Sequence, residues 1–182
     1  MKSKKGKIIE AVVMVAVCVL LVYGLPRFVI ERVIVDGPSM ETTLQDQDNI
    51  FVEKISRYFG ALDRFDIIVF YPDEKSKETR GKYYIKRIIG LPGETVQITD
   101  EVIYINGEPL EESYGSTVMG HAGIASEPIT LGEKEYFVLG DNRAISKDSR
   151  SESVGVVPLS RVGGKLMIRI FPFDKFGTVN EK

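Results

Sequence analysis

The chain has 182 residues, 43% of them apolar and 27% charged, which fits one folded domain of ordinary size plus an anchor and excludes an intrinsically disordered chain. The formal net charge is −2, yet Lys2, Lys4, Lys5 and Lys7 all stand in the first seven residues. The remainder therefore carries about −6, a balance that argues against nucleic acid as a partner. The single cysteine, Cys18, excludes an intrachain disulfide and a cysteine-rich metal site.

Residues 1–7 read as a basic cytoplasmic tail and residues 8–25 as a transmembrane signal-anchor. The stretch IIEAVVMVAVCVLLVYGL is apolar apart from Glu10. Its eighteen residues rise about 27 Å as a helix, against about 30 Å of hydrocarbon. A cleavable secretory signal shares the basic start and apolar middle, but the following YGLPRFVI has no small-x-small cleavage pattern, which favours an uncleaved anchor. Four lysines precede the segment, against Arg27 and Arg32 after it. That asymmetry predicts a single-pass protein of the cell membrane, N-terminus in the cytoplasm and residues 28–182 outside.

From Phe28 onward the pattern is extended, and a mainly β domain of antiparallel sheets is expected. RFVIERVIV, NIFVEKI, FDIIVFY, YYIKRIIG, TVQIT, VIYI, EYFVLG and KLMIRIF are short runs rich in Val, Ile, Tyr and Phe. Pro92-Gly93 predicts a type II turn and Asn106-Gly107 a hairpin. Glu111 to Pro128, rich in Gly and Ser, reads as a surface loop or small insert, with His121, the only histidine, as an exposed loop residue.

Three segments carry candidate chemistry. In VDGPSMETTL, Asp36, Gly37 and Pro38 force a turn that puts Ser39 in front of Met40. A serine needs a base to react, and with no well-placed histidine the candidates are carboxylates and lysines. A lysine serves only when neutral; bringing its pKa from about 10.4 to about 7.5 takes about 4 kcal/mol, which apolar burial can supply. Lys86 in YYIKRIIGLPGE shares a strand face with Tyr84 and Ile88, a desolvating setting, although a lysine snorkelling from a half-buried strand would look the same. Lys75, Lys77 and Lys82 stand in a charged, solvated stretch and are poorer candidates. In FVLGDNRAISKDSR, a strand runs into Gly140, and Asp141, Asn142, Arg143, Ser146, Asp148, Ser149 and Arg150 follow. The set reads equally as an ordinary turn-rich loop and as hydroxyls and ion pairs arranged to hold a lysine amine.

Taken in order behind an N-terminal anchor, GPSMETTL, DRFDIIVFYP, YYIKRIIGLPGE and LGDNRAISKDSR closely resemble the type I signal peptidases of bacteria, most of all the short single-anchor Gram-positive form. The resemblance spans nearly the whole chain. It implies a membrane-bound serine endopeptidase with a signal-peptidase-like β domain that removes signal peptides from exported preproteins by a Ser–Lys dyad, after small residues of the Ala-x-Ala type. No cofactor or metal is implied. The implied partners are signal peptides, membrane lipid and the export translocon. Residue by residue, Ser39 becomes the nucleophile, with its backbone N–H in the oxyanion hole, and Lys86 the general base. Ser146 would hydrogen-bond the Lys86 amine, Gly140 would keep the backbone close to Lys86, and Met40 would pack beneath the nucleophile. Asp141, Asp148, Arg87 and Arg150 would form supporting ion pairs.

Two positions depart from the family pattern. Thr42 stands where proline is usual, and Gly37 stands where some members have a serine that helps bind the oxyanion. Neither is a dyad residue. Among rival readings, a self-cleaving repressor-type protease shares the dyad but would carry a DNA-binding domain, for which there is no room. A penicillin-binding enzyme would need Ser-x-x-Lys, which is missing. A membrane-anchored β-rich binding module without catalysis stays open, but it leaves the matched segments coincidental.

Overall fold

In the computed structural model, residues 4–24, 29–60, 62–72, 83–115 and 118–179 are described. Lys2, Leu25, Arg27, Phe28, Lys75, Lys77 and Lys82, each part of a sequence expectation above, lie outside them. Helix α1, Lys4–Val19, continues as a π-helical turn, Leu20–Gly24. The stretch Lys5–Gly24 is long and apolar enough to cross a membrane, and none of it is buried against protein. A long apolar helix that is not buried among the described residues suits lipid as its surroundings.

The rest of the described chain is mainly strand. A seven-stranded antiparallel sheet has the order β1-β2-β11-β3-β4-β9-β10, built from β1 (Ile30–Ile34), β2 (Asn49–Glu53), β3 (Ile67–Phe70), β4 (Tyr84–Gly90), β9 (Glu135–Leu139), β10 (Val157–Pro158) and β11 (Val162–Phe171). A four-stranded sheet has the order β7-β6-β5-β8, from β5 (Thr95–Thr99), β6 (Val102–Ile105), β7 (Glu108–Pro109) and β8 (Ile129–Thr130). One short helix, α2 (Ser56–Phe59), follows β2. All eight strand expectations meet a strand. Strands β7, β8 and β10 have two residues each and no apolar run to betray them.

Side chains alternate across a strand, so the large sheet buries both faces only if every position is apolar or paired. Ile67 and Val69 pack in one cluster with Val33, Val35, Met40, Ile50, Val52, Ile85 and Leu166. Ile68 and Phe70 pack in another with Ile88, Tyr136, Val138 and Val162. A third cluster, with Ile89, Val96, Ile103, Phe137 and Leu139, joins the two sheets. Each such fully buried side chain contributes about 1.5–3 kcal/mol, so β3 and β4 are the firmest part of the frame. The turns follow sequence: Glu94 N–H donates to Leu91 O across Pro92-Gly93, at 3.1 Å. Asn106 and Gly107 both have positive φ, 53° and 84°, as the two-residue β6–β7 hairpin requires.

The segment from Glu111 to Pro128 is more than a surface loop. His121 is exposed, but Met119 and Ala125 are buried in the third cluster. Arg150 donates to Met119 O at 2.6 Å and His121 O at 3.1 Å, and Arg143 donates to Glu112 Oε2 at 2.7 Å. The orphan carbonyls of the loop are thus satisfied by buried arginines, which draw it onto the body of the domain.

Candidate active site

After β1 the chain closes a loop by two bonds at its base, Val35 N–H to Asp48 O and Gln47 N–H to Val35 O, each 2.9 Å. Within it, Thr43 and Leu44 N–H both donate to Met40 O, at 2.9 and 2.8 Å, forming a tight turn. Met40 is buried at 1% exposure beside Val35 and Leu44. Driving Met40 into the core leaves its neighbour Ser39 half-buried at the rim. The turn is also clasped from the far end of the sequence. Asn142 donates its N–H to Ser39 O at 3.1 Å and its Nδ2 to Pro38 O at 3.2 Å. Asn142 was legible in the third segment as a turn former, but nothing in its spacing pointed to this clasp.

Lys86 lies on β4, with Ile68 opposite it on β3. Its side chain is 3% exposed, and its Nζ sits 2.7 Å from Ser39 Oγ and 2.8 Å from Ile85 O. Burial pushes the amine down from 10.5 to about 8, although the carboxylates of Asp148 and Asp141 pull the other way. Each of those carboxylates is bound by its own arginine. Arg87 meets Asp141 through Nε at 2.9 Å and Nη2 at 2.6 Å; Arg150 meets Asp148 through Nε at 2.8 Å and Nη2 at 2.9 Å. All four side chains are fully buried. Arg87 also donates to Phe65 O at 2.8 Å and lies over the Tyr114 ring at 3.8 Å. Thr43 Oγ1 donates to Asp141, tying the Ser39 turn to the first pair. Asp148 accepts from Gly140 N–H at 3.0 Å, so the second pair fixes the backbone where β9 ends.

One expected contact differs in the structure. The Ser146 hydroxyl does not bond the Lys86 amine; among the described residues it is buried without a hydrogen-bond partner. The amine is already turned to Ser39 Oγ and Ile85 O, and the Ser146 side chain packs instead over Gly140. Gly140, in turn, makes room for Ser39 and Ser146. A Cβ there would strike Ser146 Oγ and lie 2.5 Å from Ser39 O. The glycine is required by the close approach of two chain segments.

A groove of about 670 Å³ opens beside Ser39. One wall is formed by Val33 to Met40 and the other by Tyr83 to Lys86, with Ile145 and Lys147 at the rim. Strand β4 is paired with β3 along Tyr84–Arg87, but β9 meets it only from Arg87 onward. Among the described residues, Tyr84 to Lys86 therefore keep one backbone edge without a strand partner, beside the groove. Among the described residues no group of three or more His, Cys, Asp or Glu is placed to hold a metal ion.

The arrangement combines a half-buried hydroxyl, a desolvated amine in hydrogen-bond contact with it, and an open strand edge. Residues 8–171 match the family model described as signal peptidase, peptidase S26. The chain is 37% identical to signal peptidase I of Bacillus licheniformis, over 95% of this chain and 94% of that one. It is 38% identical to signal peptidase I of Leptolyngbya laminosa, over 93% and 83%. A crystal structure of a signal peptidase I from Enterococcus faecalis V583 aligns with 58% of this chain and 97% of that chain, at 37% identity and a TM-score of 0.44. With its matched residues covering all three chemical segments, the chain belongs to the signal peptidase family, peptidase S26.

Proposed function

We propose that the chain removes signal peptides from exported preproteins by acyl transfer, with Ser39 as nucleophile and Lys86 as general base. The observation that carries this reading is the 2.7 Å contact between Lys86 Nζ and Ser39 Oγ inside an apolar, buried setting. Neutral Lys86 accepts the Ser39 proton as Oγ attacks the carbonyl carbon of the residue that ends the signal peptide. The oxyanion is stabilised by backbone donors, beginning with Ser39 N–H, which meets no acceptor among the described residues. Gly37 offers no hydroxyl to assist it. The Lys86 ammonium then protonates the leaving amine. Lys86, neutral again, then deprotonates a water that attacks the ester carbonyl, and the Lys86 ammonium returns the proton to Ser39 Oγ as the ester bond breaks and the signal peptide leaves.

Substrate would bind extended along the open edge of Tyr84–Lys86, by addition of a strand. Small side chains before the scissile bond suit the shallow apolar walls formed by Val33, Val35, Met40 and Ile85. The helix Lys5–Gly24 would hold the domain at the outer face of the membrane, where signal peptides end and where the export translocon delivers them. Exposed Phe171, Phe173 and Phe176 would add contact with lipid.

The test is cleavage of a preprotein with an Ala-x-Ala signal end by the purified full-length chain in detergent. The new N-terminus would be identified by mass spectrometry. Wild type should cut after the second alanine, and Ser39→Ala and Lys86→Met should each lose at least about 10³-fold in rate. Near-normal turnover by either folded variant would refute the dyad.

A further inference from the structure

The groove beside Ser39 has a chemically mixed lining. Buried Val33, Val35, Met40 and Ile85 give it apolar walls beside the open β4 edge. Ile145 and Lys147 line it too, and they flank Ser146, which packs over Gly140 close to Ser39. Their backbone is tightly held. Ser146 N–H donates to Asn142 O at 3.0 Å, Asn142 clasps the nucleophile turn, and Asp148 is locked to Arg150. The side chains between these anchors are nevertheless free: Ile145 is 60% exposed, and Lys147 is exposed with no ion pair or hydrogen bond among the described residues. Asp36, the carboxylate lining the groove, stands ahead of the Gly37-Pro38 turn and is not paired with Lys147.

We infer that Ile145 and Lys147 form the subsite for the first residues after the scissile bond, and that Lys147 selects there for an acidic side chain and against a basic one. The inference rests on Ser39 and Lys86 being the reacting pair. With the bond held at Ser39, an extended substrate places its small residues along the apolar walls. The chain beyond the bond must then leave past the nucleophile on its other side, over Ile145 and Lys147. A cation on a fixed backbone with no internal partner attracts a carboxylate and repels an ammonium passing within a Debye length, about 8–10 Å at ordinary ionic strength. Exposed charge pairs of this kind alter rates by up to about fivefold.

The full-length chain in neutral detergent would be given preproteins identical except for Glu, Gln or Lys at the first or second position after the bond. Comparing each charged substrate with Gln cancels differences in the amount of active enzyme. For wild type, kcat/KM should favour Glu over Lys by about three- to fivefold at one of these positions, and 0.5 M salt should flatten the ratio. Lys147→Glu should invert the order. A wild-type ratio near one, or a ratio that Lys147→Glu leaves unchanged, would overturn the assignment. Failure of wild type to cleave any of the substrates would defeat the dyad reading itself.

Discussion

A lysine acts as a base only with a neutral amine, and opposing influences set that balance at Lys86. Burial disfavours the ammonium, whereas Asp148 and Asp141 favour it. Left bare, those carboxylates would hold the ammonium more firmly; Arg150 and Arg87 bind them bidentately and offset part of that pull. The amine pKa of about 8 makes two readouts move together. Turnover should rise with pH up to about 8 and then level off as the free base becomes the main form. Stability follows the same group. Below about pH 8 the lysine is protonated in both folded and unfolded chains, and its burial costs about 3 kcal/mol. Between about 8 and 10.5 only the unfolded chain holds the proton, so the cost fades as pH rises. Lys86→Met should therefore unfold several degrees higher than wild type at pH 7 in detergent, with the gap narrowing above pH 8. Equal or lower stability of the variant at pH 7 would mean that the amine is not desolvated.

Strand β4 is the element on which the site is built. It carries Lys86 and Arg87 on opposite faces, and its first residues keep the edge that a substrate would use. It also reaches across to a strand it does not pair with. Tyr83 OH donates to Glu31 Oε1 on β1 at 3.1 Å, and Glu31 in turn meets Lys54 Nζ at 2.5 Å. Tyr71 OH lies 3.2 Å from Tyr83 OH. Burial pushes the Tyr83 phenol up, with Tyr71 and Glu31 adding to it, so the hydroxyl stays protonated and available as a donor. This strut sets the width of the groove about 10 Å, or three extended residues, from Lys86. Tyr83→Phe should raise KM by about fivefold, the worth of one hydrogen bond of about 1 kcal/mol, with little change in kcat. A fall in kcat at constant KM would assign Tyr83 to the chemistry instead. The strands themselves were legible because β-branched and aromatic runs alternate with Gly and Pro. The Tyr83–Glu31 link was not, because it joins β1 to the residue before β4, strands four steps apart in sheet order, and leaves no periodic trace.

At the scale of the whole molecule, the sheet curls until β1, β2, β3, β4 and β11 all line one apolar cluster. That closure brings Ser39 to Lys86 across 47 positions and Asp141 to Thr43 across 98. Local pattern named Ser39 and Lys86 as candidates, since a forced turn and an apolar-flanked lysine are visible in a few residues. Their meeting was available only from the resemblance of three ordered segments to a family. The same resemblance assigned Ser146 to the amine, and there the rotamer of this chain differs: Ser146 Oγ packs over Gly140 without a hydrogen-bond partner among the described residues. Asn142, which holds the nucleophile turn, was hidden because turn formers and clasps use the same residue type.

The most direct test of the central claim is to trap the covalent intermediate. Full-length chain would be mixed with an Ala-x-Ala preprotein, quenched in acid within the first turnover, and mapped by peptide mass spectrometry. The expected result is the signal-peptide acyl group on Ser39 in wild type and its absence in Ser39→Ala. Cleavage in the first turnover with the acyl group on another residue, or with Ser39→Ala still cutting, would contradict it.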